Sequence, residues 1–408
     1  MKDVVIEKLL VKEWARQDNT INLIPSENYV SRDMRAVIGS ALTNKYSEGY
    51  AGKRYYPGNR WYDVIEKLAQ DRIKKLFHLG SDWHINVQPY SGSPANMAVY
   101  LALLQPGETL MGMALAAGGH LTHGHRVNVS GRLFHSVQYG VDSATGRIDY
   151  DEVLRQALQH QPKVIVSGAT AYPRTIDFKS FGVIAKKCGA YHLADISHIA
   201  GLIAAGIHPS PFPYADAVVS TTHKTLRGPR GAFIACRQDV ADRIDRVVFP
   251  GMQGGPHNNI IAAIALMGFE ALQPSFKKYQ KQIAANAQAL AAALMEAQCT
   301  LLTGGTDNHL MLIDCARIAW EGCKAQDALE ACGITANRNA LPHDTSPLYP
   351  SGVRLGTPAV TTRGMKEPEM KMIAGWIARA LITKEKPAQI KKEVVALCRK
   401  YPLHFETC

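Results

Sequence analysis

The 408-residue chain lacks the closely paired cysteines of a zinc ribbon or a thiol redox motif. Its eight cysteines include no Cys-x-x-Cys pair, and most of them lie among apolar residues. This pattern gives no support for metal binding by cysteine and favours reduced, structural thiols in a cytoplasmic protein. The sequence also has no apolar run of membrane-spanning length, and its charged first residues lack the apolar core of a signal peptide. We therefore expect a cytoplasmic protein without a membrane partner.

Acidic residues are in deficit, with 35 Asp and Glu against 46 Lys and Arg, for a net charge of +11. Such a balance suits nucleic acid, an anionic surface or small anionic ligands, and the charge alone does not choose among them. Hydrophobic residues make up 46% of the chain and charged residues 20%, which is typical of a globular protein. The length is sufficient for two domains.

Strand-like apolar runs alternate with helical patterns in the first two thirds of the chain. Residues 163–169, 190–197 and 215–222 predict buried strands, and residues 178–188 predict a helix that Gly189 ends. This alternation predicts an α/β fold with a mostly parallel sheet and helices on both faces. In such sheets, ligands bind beyond the carboxyl ends of the strands.

The pattern changes after about residue 275. Residues 277–298 predict a long helix, residues 301–382 a smaller α+β unit, and residues 388–400 a terminal helix. Residues 1–17 predict an amphipathic helix that packs as an arm. We predict three parts: an N-terminal arm (1–40), a large ligand-binding domain (41–275) and a small C-terminal domain (276–408).

A lysine stands among hydroxyl residues in VVSTTHKTLRGPRG, residues 218–231. Lys224 follows an apolar run that predicts the end of a buried strand. Partial burial and the basic neighbours Arg227 and Arg230 lower the pKa of a lysine, so that its amine can attack a carbonyl group. Taken alone, the segment would more often be a basic surface loop.

Two further segments fit the same edge of the predicted sheet. ADISHIAGL (194–202) places Asp195 after a strand, where a buried carboxylate can pair with a protonated pyridine nitrogen. QPYSGSPAN (88–96) places small hydroxyl residues before a helix, whose N-terminus favours an anion, and Pro94 suits its first turn. Taken alone, the first is a capping aspartate followed by a core histidine, and the second is an ordinary helix cap.

Two other segments have an alternative interpretation. His120, His123 and His125 are clustered, but no carboxylate or cysteine has a spacing that completes a zinc site, and we expect no metal. Residues 44–63 interleave four basic residues with five tyrosines and a tryptophan, as a nucleic-acid stacking surface does. Glu48 would oppose phosphate there, and the spacing is irregular.

Taken together, these segments and NLIPSENYVS (22–31), ATAYPR (169–174), PGMQGGP (250–256), NRNALPHD (337–344) and SGVRLGTPAVTTRGM (351–365) resemble the serine hydroxymethyltransferase family, in the same order along the chain. The resemblance implies a fold-type I pyridoxal-phosphate transferase, with a mostly parallel seven-stranded sheet in the large domain and a smaller α+β C-terminal domain. It implies interconversion of serine and glycine with pyridoxal phosphate as cofactor and tetrahydrofolate as one-carbon carrier. It also implies an obligate homodimer with shared active sites and no nucleic-acid partner.

The resemblance carries site roles onto matching positions of this chain. Lys224 would hold the cofactor, Asp195 would pair with its ring nitrogen, Glu48 would act as acid and base, and Arg354 would bind the serine carboxylate. The catalytic set is Glu48, His120, Asp195, Thr221 and Lys224. The cofactor-binding set is Tyr46, Ser91, Gly92, Ser93, His120, Thr170, Asp195, His198, His223, Lys224, Gly254 and Gly255. The set for serine and folate is Ser26, Tyr46, Glu48, Tyr56, Leu115, Gly119, Leu121, Asn339 and Arg354.

Three departures from the family pattern leave the reaction open. Tyr90 replaces the usual histidine, Pro57 replaces a glycine, and Arg60 replaces a glutamate. One alternative is therefore a folate-independent aldolase or transaldolase, or an α-methylserine hydroxymethyltransferase, of the same family. The other alternative is a basic RNA-binding protein on this scaffold, which the charge and residues 44–63 motivate.

Overall fold

The computed structural model describes residues 2–346 and 348–403, and the chain divides into two compact units. We call Val30–Lys281 the sheet unit, and Met1–Tyr29 together with Gln282–Cys408 the split unit. The predicted division at residues 40 and 275 stays a prediction. Cys408, counted above among the reduced thiols, lies outside the described residues.

The chain begins with α1 (Val4–Asp18) and β1 (Ile21–Asn22). The helices of the sheet unit are α2 (Arg32–Ile38), α3 (Arg60–Leu76), α4 (Gly92–Leu103), α5 (Val129–Leu133), α6 (Tyr150–His160), α7 (Phe178–Cys188), α8 (Ala200–Ala204), α9 (Gln238–Arg246) and α10 (Asn258–Ala271). Its strands are β2 (Gly49–Tyr50), β3 (Lys53–Arg54), β4 (Trp83–Asn86), β5 (Thr109–Met113), β6 (His135–Tyr139), β7 (Val164–Ser167), β8 (Tyr191–Asp195), β9 (Ala217–Thr221) and β10 (Ala232–Arg237). Helix α11 (Pro274–Glu296) then leads to α12 (Gly322–Ala331), α13 (Pro358–Thr362), α14 (Glu367–Leu381) and α15 (Pro387–Lys400), and to β11 (Leu310–Asp314), β12 (Ile334–Thr335), β13 (Asn337–Asn339) and β14 (Gly352–Gly356). Short 3₁₀ turns lie at Ala41–Asn44, Leu302–Gly304 and Cys315–Ile318, and a π-helical turn at Val247–Met252.

The sheet unit is built on a seven-stranded sheet in the order β4-β10-β9-β8-β7-β5-β6. Strand β10 runs antiparallel to both of its neighbours, and the remaining neighbouring pairs are parallel. The prediction of an α/β fold with a mostly parallel sheet is thus confirmed. Val164 and Val166 of β7 point into one hydrophobic core and Ile165 points into another. Because both faces are covered, the strands read as continuous apolar runs.

Local signals explain where the helices of this unit begin and end. Asp177 caps α7 by accepting a hydrogen bond from the Ser180 N–H. Gly189 ends α7 with φ of 66° and donates its N–H to the carbonyls of Ala185 and Lys186. This left-handed conformation favours glycine, so the predicted stop at Gly189 is confirmed.

The split unit has its own core. Strands β11, β14 and β13 form an antiparallel sheet, and β1 pairs in parallel with β12. The predicted terminal helix is confirmed as α15, which buries Ile390, Val394, Leu397 and Cys398. Helix α1 is also confirmed, but none of its residues is buried. Its six large aliphatic side chains remain exposed, namely Val4, Val5, Ile6, Leu9, Leu10 and Val11, and Trp14 is half-buried.

Three further findings concern the described residues alone. No helix among them is by itself long and apolar enough to span a membrane, and only the pair α10 and α11, bent by 83°, passes that test jointly. The seven described cysteines form no disulfide. No group of three or more His, Cys, Asp or Glu residues in the described ranges could hold a metal ion.

His192, a buried residue of β8, contacts Ser167 at the end of the neighbouring strand β7. Ser167 Oγ lies 2.7 Å from His192 Nε2, and His192 Nδ1 lies 3.1 Å from the Tyr214 carbonyl oxygen. Since a carbonyl only accepts, Nδ1 carries the proton and Nε2 accepts from the serine hydroxyl. Burial lowers the pKa of His192 to about 4.

We predict that His192 makes the fold acid-sensitive. The neutral form is favoured in the folded state, so its stabilisation is complete above the ordinary pKa of 6.5 and is lost as pH falls towards about 4. The free energy of unfolding in urea should fall by about 3 kcal/mol between pH 7 and pH 4 from this group alone. In His192→Gln, the free energy of unfolding should depend correspondingly less on pH. In His160→Gln, a control at an exposed position, its pH dependence should match that of the wild type. An unchanged slope in His192→Gln would contradict the assignment.

Candidate active site

Three segments meet at the carboxyl ends of the parallel strands. Asp195 ends β8, Thr221 ends β9, and α4 begins at Gly92. The Thr221 N–H donates to Ser197 Oγ at 3.0 Å. A Cβ on Gly92 would lie only 2.7 Å from Thr221 Cγ2, so glycine is needed for this close approach. The structure therefore brings the predicted anion loop, the aspartate turn and the lysine segment together.

The lysine segment is a tight loop fixed at both ends. The Thr222 N–H donates to the Gly231 carbonyl at 3.0 Å, and the Gly228 N–H donates to the Thr222 carbonyl at 2.7 Å. Thr225 Oγ1 donates to the carbonyl of His198, one of the predicted cofactor residues, at 2.9 Å. Lys224 is half-buried within this loop. Its backbone position is thus set by hydrogen bonds on each side.

His223 carries a buried polar atom that is unsatisfied within the described residues. Its Nδ1 has no hydrogen-bond partner there. Burial, together with the charges of Lys224 and Arg230, lowers the pKa of His223 to about 3, so the ring is neutral at neutral pH. Since buried polar groups are normally hydrogen-bonded, this atom marks a place where a bound polar group would find a partner.

Asp195 is a buried carboxylate with three donors. Asn96 Nδ2 donates to Oδ2 at 2.9 Å, His123 Nε2 lies 3.1 Å from the same oxygen, and the Ser197 N–H donates to Oδ1 at 3.0 Å. Burial by itself raises the pKa of Asp195, but His123, Ser197 and Asn96 outweigh it and hold the pKa well below its usual range. The site therefore contains a fixed anion at the end of β8.

The ring orientations around Asp195 follow from one continuous network. The His120 N–H donates to His123 Nδ1 at 3.3 Å, so His123 Nε2 carries the hydrogen that faces Asp195. Asn96 Nδ2 also donates to Thr122 Oγ1 at 2.9 Å, and Thr122 Oγ1 lies 2.8 Å from His120 Nδ1. His120, predicted as a catalytic and cofactor-binding residue, is thereby linked to the same network as Asp195.

Sequence reasoning missed Asn96, Thr122, His123 and Ser197 in this network. The sequence marks His123 only as one of three clustered histidines, a pattern that would suit a metal ligand. Asn96 offered a signal in the sequence, because it is an amide within residues 95–104, where all other residues are apolar or aromatic. Thr122 and Ser197 offered no comparable signal, since small hydroxyl residues are common in such turns.

The predicted anion loop has the geometry of a helix N-terminus. Ser91 is the N-cap of α4, and its side chain makes no capping hydrogen bond. Ser91 and Gly92 are half-buried and Ser93 is exposed. Backbone N–H groups at such a terminus bind phosphate well. A cofactor with a phosphate at one end and a cationic ring nitrogen at the other matches these residues and Asp195.

A second cluster of predicted residues surrounds Glu48. A Cβ on Gly254 would lie 3.2 Å from Glu48 Oε1, and a Cβ on Gly255 would lie 3.0 Å from Tyr46 Cε1. The rings of Tyr46 and Tyr56 have centroids 5.1 Å apart. The structure thus groups these five predicted residues, with Glu48 half-buried and both tyrosines exposed.

Buried polar contacts hold the segment that carries Glu48. Arg54 pairs with Glu66 at 2.6 Å and with Asp63 at 2.8 Å, and it donates to the Ser47 carbonyl at 2.9 Å. Ser47 Oγ donates to Asn258 Oδ1 at 2.8 Å. These contacts tie the segment to α3 and to the start of α10.

Four further predicted residues lie on two loops that contact each other, Leu115, Gly119 and Leu121 after β5 and Thr170 after β7. The Thr170 N–H donates to the Gly118 carbonyl at 2.7 Å, which joins the loop after β5 to the loop after β7. In the first of these loops Leu115 is half-buried, Gly119 is buried and Leu121 is exposed.

Three predicted residues belong to the split unit. Arg354 lies on β14, is buried, and donates from Nε to Asn337 Oδ1 at 3.1 Å. Burial lowers the pKa of Arg354 to about 10. Asn339 ends β13, and Ser26 is half-buried shortly after β1.

The departures from the family pattern have visible local roles. Arg60 begins α3 and places its guanidinium over the Trp61 ring at 4.9 Å, with both side chains exposed. Gly58 has φ of 80°, and Pro57 precedes it in the exposed turn before α3. Tyr90 contacts the loop that carries Gly254 and Gly255.

Comparison with known proteins adds two findings. The family model described as serine hydroxymethyltransferase matches residues 1–377. A protein of Koribacter versatilis (strain Ellin345), named serine hydroxymethyltransferase, is 52% identical over 409 residues, which cover 99% of this chain and 95% of that protein. Neither finding favours the aldolase, α-methylserine or RNA-binding alternatives.

We predict that Asn96→Leu destabilises the sheet unit. The substitution keeps a similar volume but removes the donor to Asp195 and Thr122. Leaving buried acceptors unsatisfied costs about 1–3 kcal/mol, so urea unfolding at pH 7 should show a loss of that size. Asn44→Leu, at an exposed position, should change stability by less than about 0.5 kcal/mol. Equal stability of Asn96→Leu and wild type would contradict the proposed network.

Proposed function

Since this chain belongs to the serine hydroxymethyltransferase family and interconverts serine and glycine, we propose that pyridoxal phosphate is its cofactor and tetrahydrofolate its one-carbon carrier. The observation that carries the cofactor proposal is the ionised, buried Asp195 on the rim that also holds the Lys224 loop and the N-terminus of α4. An anion, an amine and an anion-binding helix end are the three groups that this cofactor requires.

The residues at this rim fit the cofactor chemically. Lys224 would hold it through its amine, Asp195 would face the ring nitrogen, and Ser91, Gly92 and Ser93 would bind its phosphate. The neutral ring of His223, with its unsatisfied Nδ1, would accept or donate a hydrogen bond beside Lys224. We also assign cofactor contacts to Thr170, His198 and Thr221 on this rim, and to Tyr46, Gly254 and Gly255 of the Glu48 cluster. When bound, pyridoxal phosphate supplies an electron sink for the Cα–Cβ bond of serine.

Asp195 and His120 would orient and sustain this chemistry. Asp195 stays ionised because its donors outweigh the effect of burial, so it would keep a proton on the ring nitrogen. His120 would lie against the ring, with its own orientation fixed through Thr122. Both functions depend on the same hydrogen-bond network.

Glu48 would move the proton at the hydroxymethyl oxygen of serine. It is half-buried, so it can reach a ligand while it remains partly shielded from water. Its segment is held by Arg54 and Asn258 contacts, as a positioned acid–base group requires. Tyr46 and Tyr56, next to it, would contact the substrates.

Arg354 would bind the carboxylate of serine. Its guanidinium is buried and its pKa is lowered, so a carboxylate ligand would pair with a desolvated charge. The further contacts to serine and folate would come from Ser26, Leu115, Gly119, Leu121 and Asn339, as the resemblance implies.

We further propose a fold-type I homodimer with shared sites. The segment that follows Glu48 exposes large aromatic side chains, with Tyr55 and Trp61 exposed by 73% and 65%. Large exposed apolar groups mark interaction surfaces. Helix α1 independently presents six exposed apolar side chains. In this proposal Tyr46, Glu48 and Gly255 serve the site of the partner subunit, and the cytoplasmic location stays a prediction from the sequence.

Glu48→Gln tests the proposed reaction. Wild type should form glycine from serine rapidly only when tetrahydrofolate is present. Glutamine is nearly isosteric but cannot exchange a proton, so the variant should lose about 10²–10⁴-fold in the folate-dependent rate. The variant should still bind glycine, which is measured by the change in absorbance of the cofactor. The exposed Glu330→Gln should behave as wild type. Wild-type cleavage equally fast with and without folate, together with undetectable folate binding, would overturn the proposed function.

Mixing two inactive variants tests the shared sites. Lys224→Ala lacks the cofactor amine and Glu48→Gln lacks the acid–base group, so each homodimer should have little activity. The two variants are unfolded and refolded together in equal amounts. If the chains pair at random, half of the dimers should contain one chain of each variant, and each of these mixed dimers should have one intact site. About a quarter of the wild-type activity per chain should therefore return. No recovery, in a sample shown by sedimentation to be dimeric, would show that each site is built from one chain.

A further inference from the structure

Tyr90 makes three contacts with one loop, residues 253–257, which we call the glycine loop. Its ring stacks on His257 with centroids 4.3 Å apart and planes 10° apart. Its hydroxyl donates to the Gly255 carbonyl at 2.9 Å, and its N–H donates to Gln253 Oε1 at 3.1 Å. Tyr90 therefore holds the beginning, middle and end of the glycine loop.

The glycine loop also faces Glu48 and Tyr46. A Cβ on Gly254 would lie 3.2 Å from Glu48 Oε1, and a Cβ on Gly255 would lie 3.0 Å from Tyr46 Cε1. Neither glycine has a side chain of its own to anchor it. The hydrogen bond from Tyr90 to the Gly255 carbonyl therefore helps to set where this surface lies relative to the Glu48 carboxylate.

A tyrosine is suited to hold the glycine loop because it offers two interacting groups at different distances from its backbone, the ring face and the hydroxyl. The ring face packs on His257, and the hydroxyl beyond the ring reaches the Gly255 carbonyl. Gln253 adds a second connection, since its Nε2 donates to the Gln88 carbonyl at 2.8 Å. The segment 88–90, which leads into α4, is thus joined to the glycine loop at two points.

We propose that Tyr90 is a positioning residue that sets the proton-transfer geometry of Glu48 through the glycine loop, an inference that rests on the role proposed above for Glu48. Tyr90 acts on the carboxylate indirectly, through Gly254 and Gly255. Small displacements of an acid–base group have large effects on rate, because proton transfer needs hydrogen-bond distance to the reacting oxygen. The tyrosine at position 90, where the family usually has histidine, thus affects the position of the acid–base group Glu48 rather than the phosphate-binding loop that follows it.

A double-mutant cycle between Tyr90→Phe and Glu48→Gln tests this inference. Phenylalanine keeps the stacking on His257 and removes only the hydroxyl hydrogen bond, so the protein should fold normally. In the wild-type background, Tyr90→Phe should lower the folate-dependent kcat by about threefold to tenfold and shift the pH profile of kcat. In the Glu48→Gln background, the same substitution should change kcat by less than about twofold, since no proton transfer by Glu48 remains to be positioned.

Two controls separate positioning from general structural effects. Tyr150→Phe removes a single hydrogen bond, the one that the Tyr150 hydroxyl accepts from the Asp177 N–H. Because neither residue belongs to the Glu48 cluster, this control should leave kcat and its pH profile unchanged. The affinity for pyridoxal phosphate, measured by fluorescence titration, should change by less than about threefold in Tyr90→Phe, because the stacking on His257 still holds the loop that carries the proposed cofactor contacts Gly254 and Gly255, and proton transfer responds to small displacements more strongly than binding does. A purely structural role at the phosphate end would instead weaken cofactor affinity and leave the pH profile of kcat unaltered, which would overturn the inference.

The remaining outcomes are also decisive. If Glu48→Gln lowers kcat as expected but Tyr90→Phe lowers it by the same factor in both backgrounds, the inference is wrong while the proposed function stands. If Tyr90→Phe has no effect in the wild-type background, the inference is wrong as well. If Glu48→Gln retains full folate-dependent activity, the role proposed for Glu48 fails, and the inference fails with it.

Discussion

The buried carboxylate of Asp195 is the constraint on which the proposed cofactor rim depends. A desolvated anion is unfavourable unless several donors surround it, and here they come from α4, from the loop after β5 and from its own turn. The same turn supplies Ser197, whose hydroxyl accepts from the backbone of Thr221 at the start of the Lys224 loop. The hydrogen bonds that satisfy the Asp195 carboxylate therefore bring together α4, the loop after β5 and the turn after β8, and Ser197 of that turn connects them to the Lys224 loop.

The Glu48 cluster is organised by a different buried charge. Burial raises the pKa of Glu66, and its pairing with Arg54 and the hydrogen bond from Gln88 oppose that effect. Arg54 in turn binds the carbonyls of Ser47 and Gly49, on each side of Glu48. Glu48, the proposed acid–base group, is half-buried, whereas Glu66 and the side chain of Arg54, which anchor its segment, are buried. Breaking a buried pair is costly because it leaves one charge unpaired, so this anchor is rigid.

Much of the sheet unit was predictable because its signals are local. The strands β7, β8 and β9 are continuous apolar runs, and Gly189 ends α7 where the helical pattern ends. The position of Asp195 and Lys224 beyond neighbouring strands followed from the parallel arrangement alone. Helix α1 was predictable as a helix from its pattern, but its exposed apolar face was not, because burial depends on what packs against it.

By itself, the sequence determined the alternation of strands and helices in the sheet unit, the family and the candidate residues for its chemistry, since each depends on residues close together in the chain. Only the tertiary structure decided which side chains serve Asp195 and Glu48. Asn96 lies 99 residues from Asp195, and Tyr90 lies 165 residues from Gly255. Such partners are chosen by the convergence of distant segments on a buried polar group that must be satisfied, and no local periodicity encodes that requirement.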